Sequence, residues 1–82
     1  MNYETIMNDV QEIFREVADN PAIVLADETT SEDIEEWDSL THIQLVVAIE
    51  KNFHISFSSD EIGNYKNVGE MCRGIEKKLS AK

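Results

Sequence analysis

The chain has 82 residues, of which 41% are hydrophobic and 29% are charged. This length is enough for a single domain, residues 1–82, with a small core, and it leaves no room for a deep catalytic cleft. The net charge of −10 argues against nucleic acids and anionic membranes as partners, because both are negatively charged themselves. Basic surfaces of other proteins are the expected partners.

The acidic residues are concentrated in the first half of the chain. Residues 1–38 contain 12 acidic residues and one basic residue, a net charge of −11, whereas residues 39–82 contain five acidic and six basic residues, a net charge of +1. The single cysteine cannot form a disulfide within the chain, and no apolar run is long enough for a signal peptide or a membrane span. A cytoplasmic location is therefore expected.

The first predicted element is an amphipathic helix over residues 3–18. Asn2 is its expected N-cap, and Asn20-Pro21 ends it, because proline disfavours helical conformation in the residue before it. The apolar residues follow the spacing of a helix with one core-facing side. They are Tyr3, Ile6, Met7, Val10, Ile13, Phe14 and Val17.

Residues 20–38 show no sustained periodicity and are predicted to form a long connection. Its expected anchors to the core are Ile23, Val24, Leu25, Ile34 and Trp37. A loop of that length in a small domain is unusual unless it is functional or contains a short helical turn. The acidic stretch from Asp27 to Asp38 lacks the glycine and the final glutamate that an EF-hand loop requires. We therefore predict no metal site and interpret this stretch as a solvated acidic face.

The strongest helix signal begins at Ser39. Residues 39–52 are predicted to be helical because apolar residues recur at helical spacing without Gly or Pro, and Asp38 or Ser39 is the expected N-cap. These apolar residues fall on two arcs. The arc expected to face the core consists of Leu45, Val46, Ile49 and Phe53, and the second arc consists of Leu40, Ile43 and Val47. The second arc is available to another surface.

The pattern around Ser39 has two interpretations. An Asp-Ser pair before an apolar helix is commonly only a cap, which gives Ser39 a structural role. Alternatively, Ser39 is modified, because the unpaired N–H groups and the dipole of a helix N-terminus favour an anion such as phosphate. A hydrolase with His42 as the base is not expected, because the chain has no Gly-x-Ser-x-Gly elbow and no obvious oxyanion hole. We predict no catalytic residue.

Two shorter patterns follow. Residues 54–57 are predicted to form an extended link, and Ser58 with Glu61 forms a predicted capping box for a short helix over residues 59–64. The apolar residue of that helix is Ile62, and Gly63 and Asn64 end it.

Asn67 is the expected N-cap of the last helix. Its apolar stripe consists of Val68, Met71, Cys72, Ile75 and Leu79. Cys72 is thus expected to be a buried, inert thiol. His42 and His54 are too few and too far apart to indicate a metal site.

The run Asp38-Ser39-Leu40 resembles the acyl carrier protein family, which includes peptidyl and aminoacyl carriers. The resemblance continues through Leu45, Ile49, Glu50, Phe53, Ile55, Glu61 and Val68. It is densest from Trp37 to Phe57 and spans nearly the whole chain. It implies an all-α, four-helix bundle of three long helices and one short one, with a long loop between helices 1 and 2.

The resemblance also implies a function for Ser39. In this family, the serine of Asp-Ser-Leu carries 4′-phosphopantetheine, derived from coenzyme A, through a phosphodiester, and the terminal thiol holds acyl or aminoacyl groups as thioesters. Asp38 matches the neighbouring acid used in docking the transferase that installs this arm. Leu40, Ile43 and Val47 match apolar positions that contact partner enzymes.

The expected partners are therefore a phosphopantetheinyl transferase and acyl-loading, acyl-transferring or condensing enzymes with basic docking surfaces. The chain would be their covalent substrate and not an enzyme, and we expect a monomer. The candidates for pairing with basic partners are Glu35, Glu36, Asp38 and Glu50. The alternative for these acids is a role in solubility alone.

The chain departs from the family pattern at several positions. Glu36 stands where the family usually has Gly, Thr41 and Gln44 stand where carriers of fatty acid synthesis usually have acids, and Lys51 follows Glu50. These departures favour a dedicated pathway over central fatty acid synthesis, but fatty acyl, polyketide, aminoacyl and sugar-linked cargo all stay open. The alternative from another class is an acidic helical adaptor without a prosthetic group, which would bind a basic protein and would not need Ser39.

Overall fold

The computed structural model describes residues 2–58, 60–61 and 65–81. It contains three helices, α1 (Tyr3–Val17), α2 (Ser39–Phe53) and α3 (Val68–Ser80), and the described residues contain no strand. Both α2 and α3 pack against α1. The all-helical prediction is thus confirmed: the three predicted long helices are present, and α1 and α2 each end within one residue of their expected bounds. No helix within the described ranges is long and apolar enough to cross a membrane.

Each helix begins at a polar side chain that accepts a hydrogen bond from the first turn. The Asn2 side chain accepts from the Thr5 N–H, the Asp38 side chain accepts from the Thr41 N–H, and the Asn67 side chain accepts from the Glu70 N–H. These bonds satisfy backbone donors that the helix itself leaves unpaired. Of the two N-caps that the sequence allowed for α2, Asp38 is the one that the structure has.

The core lies where the apolar stripes of the three helices meet. Its buried members are Ile6, Val10, Ile13, Phe14, Ile23, Leu25, Ile34, Leu45, Ile49, Phe53, Ile55, Val68, Met71, Cys72 and Ile75. Tyr3, Met7, Val17 and Leu79 pack against its edge. The core-facing stripes predicted for α1 and α3 are confirmed. On α2, Val46 is only half-buried.

Hydrogen bonds fasten the connection between α1 and α2, residues 18–38, to the helices. Arg15 donates from Nε to the Ile23 carbonyl at 2.7 Å, and the Leu25 N–H donates to the Gln11 side chain at 2.9 Å. Each bond satisfies one backbone polar group of the connection, which lowers the cost of placing this segment close to the core.

The same connection reaches the start of α3. The first two N–H groups of α3, those of Val68 and Gly69, donate to the carbonyls of Thr29 and Asp27 at 2.9 and 2.8 Å. A helix leaves its first N–H groups without partners inside the helix. The connection therefore supplies acceptors that α3 needs.

The prediction that Val24 anchors the connection to the core is wrong. Ile23, Leu25 and Ile34 are buried, but Val24 is 73% exposed. In this non-helical stretch, successive side chains point to opposite sides, so Val24 faces outward between two buried neighbours.

Residues 55–57 of the predicted link form neither helix nor strand. The prediction is wrong at His54, which is not extended but ends α2 in the left-handed conformation (φ 56°). Ser58 and Glu61 make the predicted capping box: the Ser58 N–H donates to Glu61 at 2.9 Å, and the Glu61 N–H donates to the Ser58 hydroxyl at 3.2 Å. Of the short helix predicted over residues 59–64, Asp60 and Glu61 are helical, and the other residues, Ile62, Gly63 and Asn64 among them, lie outside the described residues.

Candidate functional site

Ser39 is the first residue of α2, and it is exposed. Asp38 holds the backbone around it, because its carboxylate accepts from the Thr41 N–H at 2.8 Å and its carbonyl accepts from the His42 N–H at 2.8 Å. The hydrogen bond from Thr41 lowers the pKa of the Asp38 carboxyl. Asp38 is therefore an ionised cap that fixes the turn bearing the Ser39 hydroxyl.

Ser39 lies at the edge of an open depression of about 570 Å³. Three parts of the chain bring side chains to it: the connection, the first turn of α2 and the segment just before α3. The lining residues are Ser31, Trp37, Asp38, Ser39, His42, Ile43, Tyr65 and Lys66. This depression is open to solvent, so that a group attached to Ser39 would have room beside it and a partner enzyme would have access.

Trp37 and His42 join the connection to α2 on either side of Ser39. Trp37 Nε1–H donates to His42 Nδ1 at 3.1 Å, and the two rings are inclined by only 22°. The Trp37 ring also contacts the core, where it meets Phe14 edge-on with centroids 4.9 Å apart. The expectation that Trp37 pins the connection to the bundle is confirmed.

The bond from Trp37 also determines which nitrogen of His42 carries the proton. A neutral imidazole has one N–H donor and one acceptor, so Nδ1 as acceptor places the proton on Nε2. His42 then has no free lone pair with which to accept a proton from Ser39. This arrangement argues against a serine hydrolase.

The second arc of α2 is exposed, as predicted. Leu40, Ile43 and Val47 have 66%, 61% and 43% of their surface exposed, while Leu45, Ile49 and Phe53 on the first arc are buried. The exposed arc begins next to Ser39. Exposed apolar patches of this kind are a feature of surfaces that bind other proteins.

The acidic candidates differ in their surroundings. Glu36 accepts a hydrogen bond from the Asn20 amide at 2.8 Å, and Glu50 accepts from the Phe57 N–H at 2.9 Å, so that both carboxylates have structural partners. Glu35 and Asp38 are exposed, and Asp38 lines the depression. The sequence could not distinguish these cases, because the partners of Glu36 and Glu50 come from other parts of the chain.

Cys72 is fully buried in the core, as predicted. Burial, followed by the nearby charge of Asp27, raises the pKa of its thiol to about 12. A thiol with so high a pKa is protonated at neutral pH and is a poor nucleophile. Within the described ranges, no group of His, Cys, Asp and Glu residues is arranged to hold a metal ion.

Sequence reasoning missed three residues of the depression: Ser31, Tyr65 and Lys66. Ser31 and Lys66 carry polar groups at its rim, and Tyr65 packs edge-on against Phe57 with centroids 5.9 Å apart. They lie 8 to 27 positions away from Ser39 in the sequence and come close to it only through tertiary packing. No local sequence pattern therefore indicates them.

Comparisons with known proteins agree on one family. The family model described as "Phosphopantetheine attachment site" matches residues 8–75. The acyl carrier protein of Acidothermus cellulolyticus is 34% identical over 70 residues, which are 85% of this chain and 83% of that protein. The solution NMR structure of holo acyl carrier protein from Geobacter metallireducens superimposes with a TM-score of 0.87 and 39% identity, over 93% of this chain and 87% of that one.

Proposed function

This chain belongs to the acyl carrier protein family, and from that membership we propose that Ser39 carries its covalent 4′-phosphopantetheine arm. One observation supports this choice above the others: Ser39 presents an exposed hydroxyl at the first residue of α2, inside the matched range and beside an open depression. When bound, the arm supplies a terminal thiol that holds acyl groups as thioesters.

The residues around Ser39 fit such a group. Ser39 and Lys66 both line the open depression, so Lys66 contributes a cation there, and the first turn of α2 presents its N-terminal end to an anion. A phosphodiester on Ser39 would therefore meet favourable electrostatics on these two sides, despite the acidic first half of the chain.

The proton of Ser39 must leave during attachment. The serine oxygen forms a bond to the phosphorus nearer the pantetheine of coenzyme A, the bond to the other phosphate breaks, and adenosine 3′,5′-bisphosphate is released. Asp38 is occupied in capping α2 and His42 has its Nδ1 bonded to Trp37. We therefore assign the base to the transferase and treat this chain as its substrate, not as a catalyst.

The exposed arc of Leu40, Ile43 and Val47 is the proposed apolar contact with partner enzymes. A small contact of this kind suits a carrier that must leave one enzyme for the next. Glu35, Glu36, Asp38 and Glu50 are the proposed acids around it for pairing with basic surfaces, which would speed association. Among them, Glu35 and Asp38 are exposed, whereas Glu36 and Glu50 also hold the chain together.

We further propose the complete four-helix architecture, with a short helix that begins at the Ser58–Glu61 capping box and the long loop between α1 and α2. The proposed working form is a cytoplasmic monomer. The proposed partners beyond the transferase are enzymes that load, transfer or condense acyl groups in a biosynthetic pathway.

The experiment that tests the attachment compares intact masses after incubation with coenzyme A, magnesium and a broad-specificity phosphopantetheinyl transferase. We expect wild type to gain one phosphopantetheinyl group and Ser39→Ala to gain none. Ser31→Ala is the matched control, because Ser31 lines the same depression, and it should be modified like wild type. No gain by folded wild type with more than one transferase would remove the proposal and favour an acidic adaptor without a prosthetic group.

A further inference from the structure

The depression beside Ser39 contains one basic side chain, Lys66, and one acidic side chain, Asp38, among its described lining residues. Lys66 comes from the segment just before α3, 27 positions away from Ser39 in the sequence. It is exposed and belongs to none of the helices. The fold thus brings a cation from a distant segment to the rim of the attachment site.

His42 contributes a second donor on the same side. It follows Ser39 by three positions on α2, so the two side chains are neighbours on the helix surface. Because its Nδ1 accepts from Trp37, its proton is on Nε2, and the ring presents an N–H group as well as lining the depression. The role of Trp37 here is to fix the tautomer of His42.

A phosphodiester attached to Ser39 would carry one negative charge next to the ionised Asp38. Repulsion between these two charges would favour a position of the phosphate away from Asp38 and close to any cation or N–H donor within reach. Lys66 and His42 are the groups that the depression offers for this purpose. Hydrogen bonds from charged or neutral N–H donors to phosphate oxygens are among the stronger polar contacts in proteins.

We infer that Lys66 and the Nε2–H of His42 hold the phosphodiester of the arm, and that Trp37 is the positioning residue that keeps His42 in the donor tautomer. The inference rests on the proposed attachment at Ser39. Its consequence is that the arm leaves Ser39 over the depression, between α2 and the segment before α3, and does not sample all directions equally.

The test uses the apo and holo forms of the full chain, labelled with ¹⁵N, after the intact mass has shown which samples carry the arm. We compare wild type with Lys66→Gln, and with Lys51→Gln as a control that removes one exposed lysine near the other end of α2. Amide shifts and the width of the phosphorus resonance are measured at low salt and again at high salt, which screens exposed ion pairs.

In wild type and in Lys51→Gln, we expect conversion from apo to holo to shift the amides of Tyr65 and Lys66. We expect those shift changes to be lost in Lys66→Gln and to be reduced at high salt. In both cases the phosphorus resonance of the holo form should become narrower. Because Lys66 is exposed, this variant should fold, which the apo spectrum verifies.

The Trp37→Phe variant tests the second half of the inference. Ring ¹⁵N shifts of His42 should report a proton on Nε2 in wild type and a loss of that preference in Trp37→Phe, with a smaller apo-to-holo change at the His42 ring. Two results together would overturn this inference and leave the attachment at Ser39 intact. In holo wild type, the shifts of Lys66 and His42 would equal those of the apo form, and in Lys66→Gln the width of the phosphorus resonance would not change. Absence of the mass gain would overturn the attachment at Ser39, and this inference with it.

Discussion

The two apolar arcs of α2 consist of the same kinds of residue but have opposite positions in the fold. Leu45, Ile49 and Phe53 are buried against the rest of the core, whereas Leu40, Ile43 and Val47 are 66%, 61% and 43% exposed. Burying an apolar side chain stabilises a fold, and leaving one in water does not. The comparison indicates that the inner arc stabilises the domain, while the outer arc is available to partners.

The different roles of the two arcs can be tested by shortening one isoleucine on each arc. Ile49→Ala should lower the free energy of unfolding by about 2–5 kcal/mol, because it removes buried methyl groups and leaves a cavity. Ile43→Ala should change it by no more than about 0.5 kcal/mol, as for surface substitutions in general. Urea unfolding followed by circular dichroism measures both values.

Ile49→Val provides a milder variant in case Ile49→Ala does not fold, with an expected loss of about 0.5–1.5 kcal/mol. Ile43→Ala should instead raise the KM of the transferase, with its stability unchanged. Equal losses of stability from the two arcs, or an unchanged KM for Ile43→Ala, would contradict the division of roles.

Gly69 tests whether the connection is part of the packed body. A Cβ at Gly69 would lie 2.8 Å from the Asp27 carbonyl oxygen, which accepts a hydrogen bond from the Gly69 N–H at 2.8 Å. The Asp27 oxygen belongs to the backbone and cannot rotate away like a side chain, so an added Cβ would force the connection to move away from α3. We expect Gly69→Ala to lower the free energy of unfolding by about 1–3 kcal/mol, as overpacking does in well-packed interiors.

Gly74→Ala is the matched control in the same helix. Its Cβ would meet the hydroxyl end of the Tyr65 side chain, which can turn aside, and alanine is favoured over glycine in a helix by about 1 kcal/mol. Its net effect should therefore be smaller than that of Gly69→Ala in the same urea experiment. A larger loss of unfolding free energy in Gly74→Ala than in Gly69→Ala would show that the connection moves at little cost and is not a packed part of the fold.

The smallest expected effect concerns pH. The hydrogen bond from the Thr41 N–H lowers the pKa of Asp38 in the folded state, so the ionised carboxylate favours folding. That contribution is fully present above the ordinary aspartate pKa of about 3.9 and is lost as the pH falls through the lower pKa of the folded state.

Asp38→Asn keeps a good N-cap but cannot ionise. We expect wild type to be more stable than this variant at neutral pH and the difference to shrink as the pH falls below the ordinary aspartate pKa. Urea unfolding across the acidic range measures it. A difference that does not depend on pH would mean that the charge of Asp38 contributes nothing to the fold.

Local patterns predicted what depends on neighbouring residues. The three long helices, the caps at Asn2, Asp38 and Asn67, and the two arcs of α2 follow from side-chain spacing and from the short-range bonds of capping residues. Ser39 and the helix that it begins can be predicted for the same reason, because the Asp-Ser-Leu run and the helix after it are contiguous.

Features that depend on distant residues could not be predicted. Because Val24 is apolar, the sequence predicts it in the core, but its exposure depends on the way the connection runs between Ile23 and Leu25. Lys66 and Tyr65 reach the rim of the site only when α3 packs against α1. The bond between Trp37 and His42 depends on how the indole is placed against Phe14.

Attachment of the arm at Ser39 is tested most directly by locating the added group. After modification of wild type, the protein is digested and the peptides are sequenced by tandem mass spectrometry. We expect the phosphopantetheinyl group on Ser39. Its presence on Ser31, Ser56 or any other residue would show that Ser39 is not the attachment site, even if the intact mass showed the expected gain.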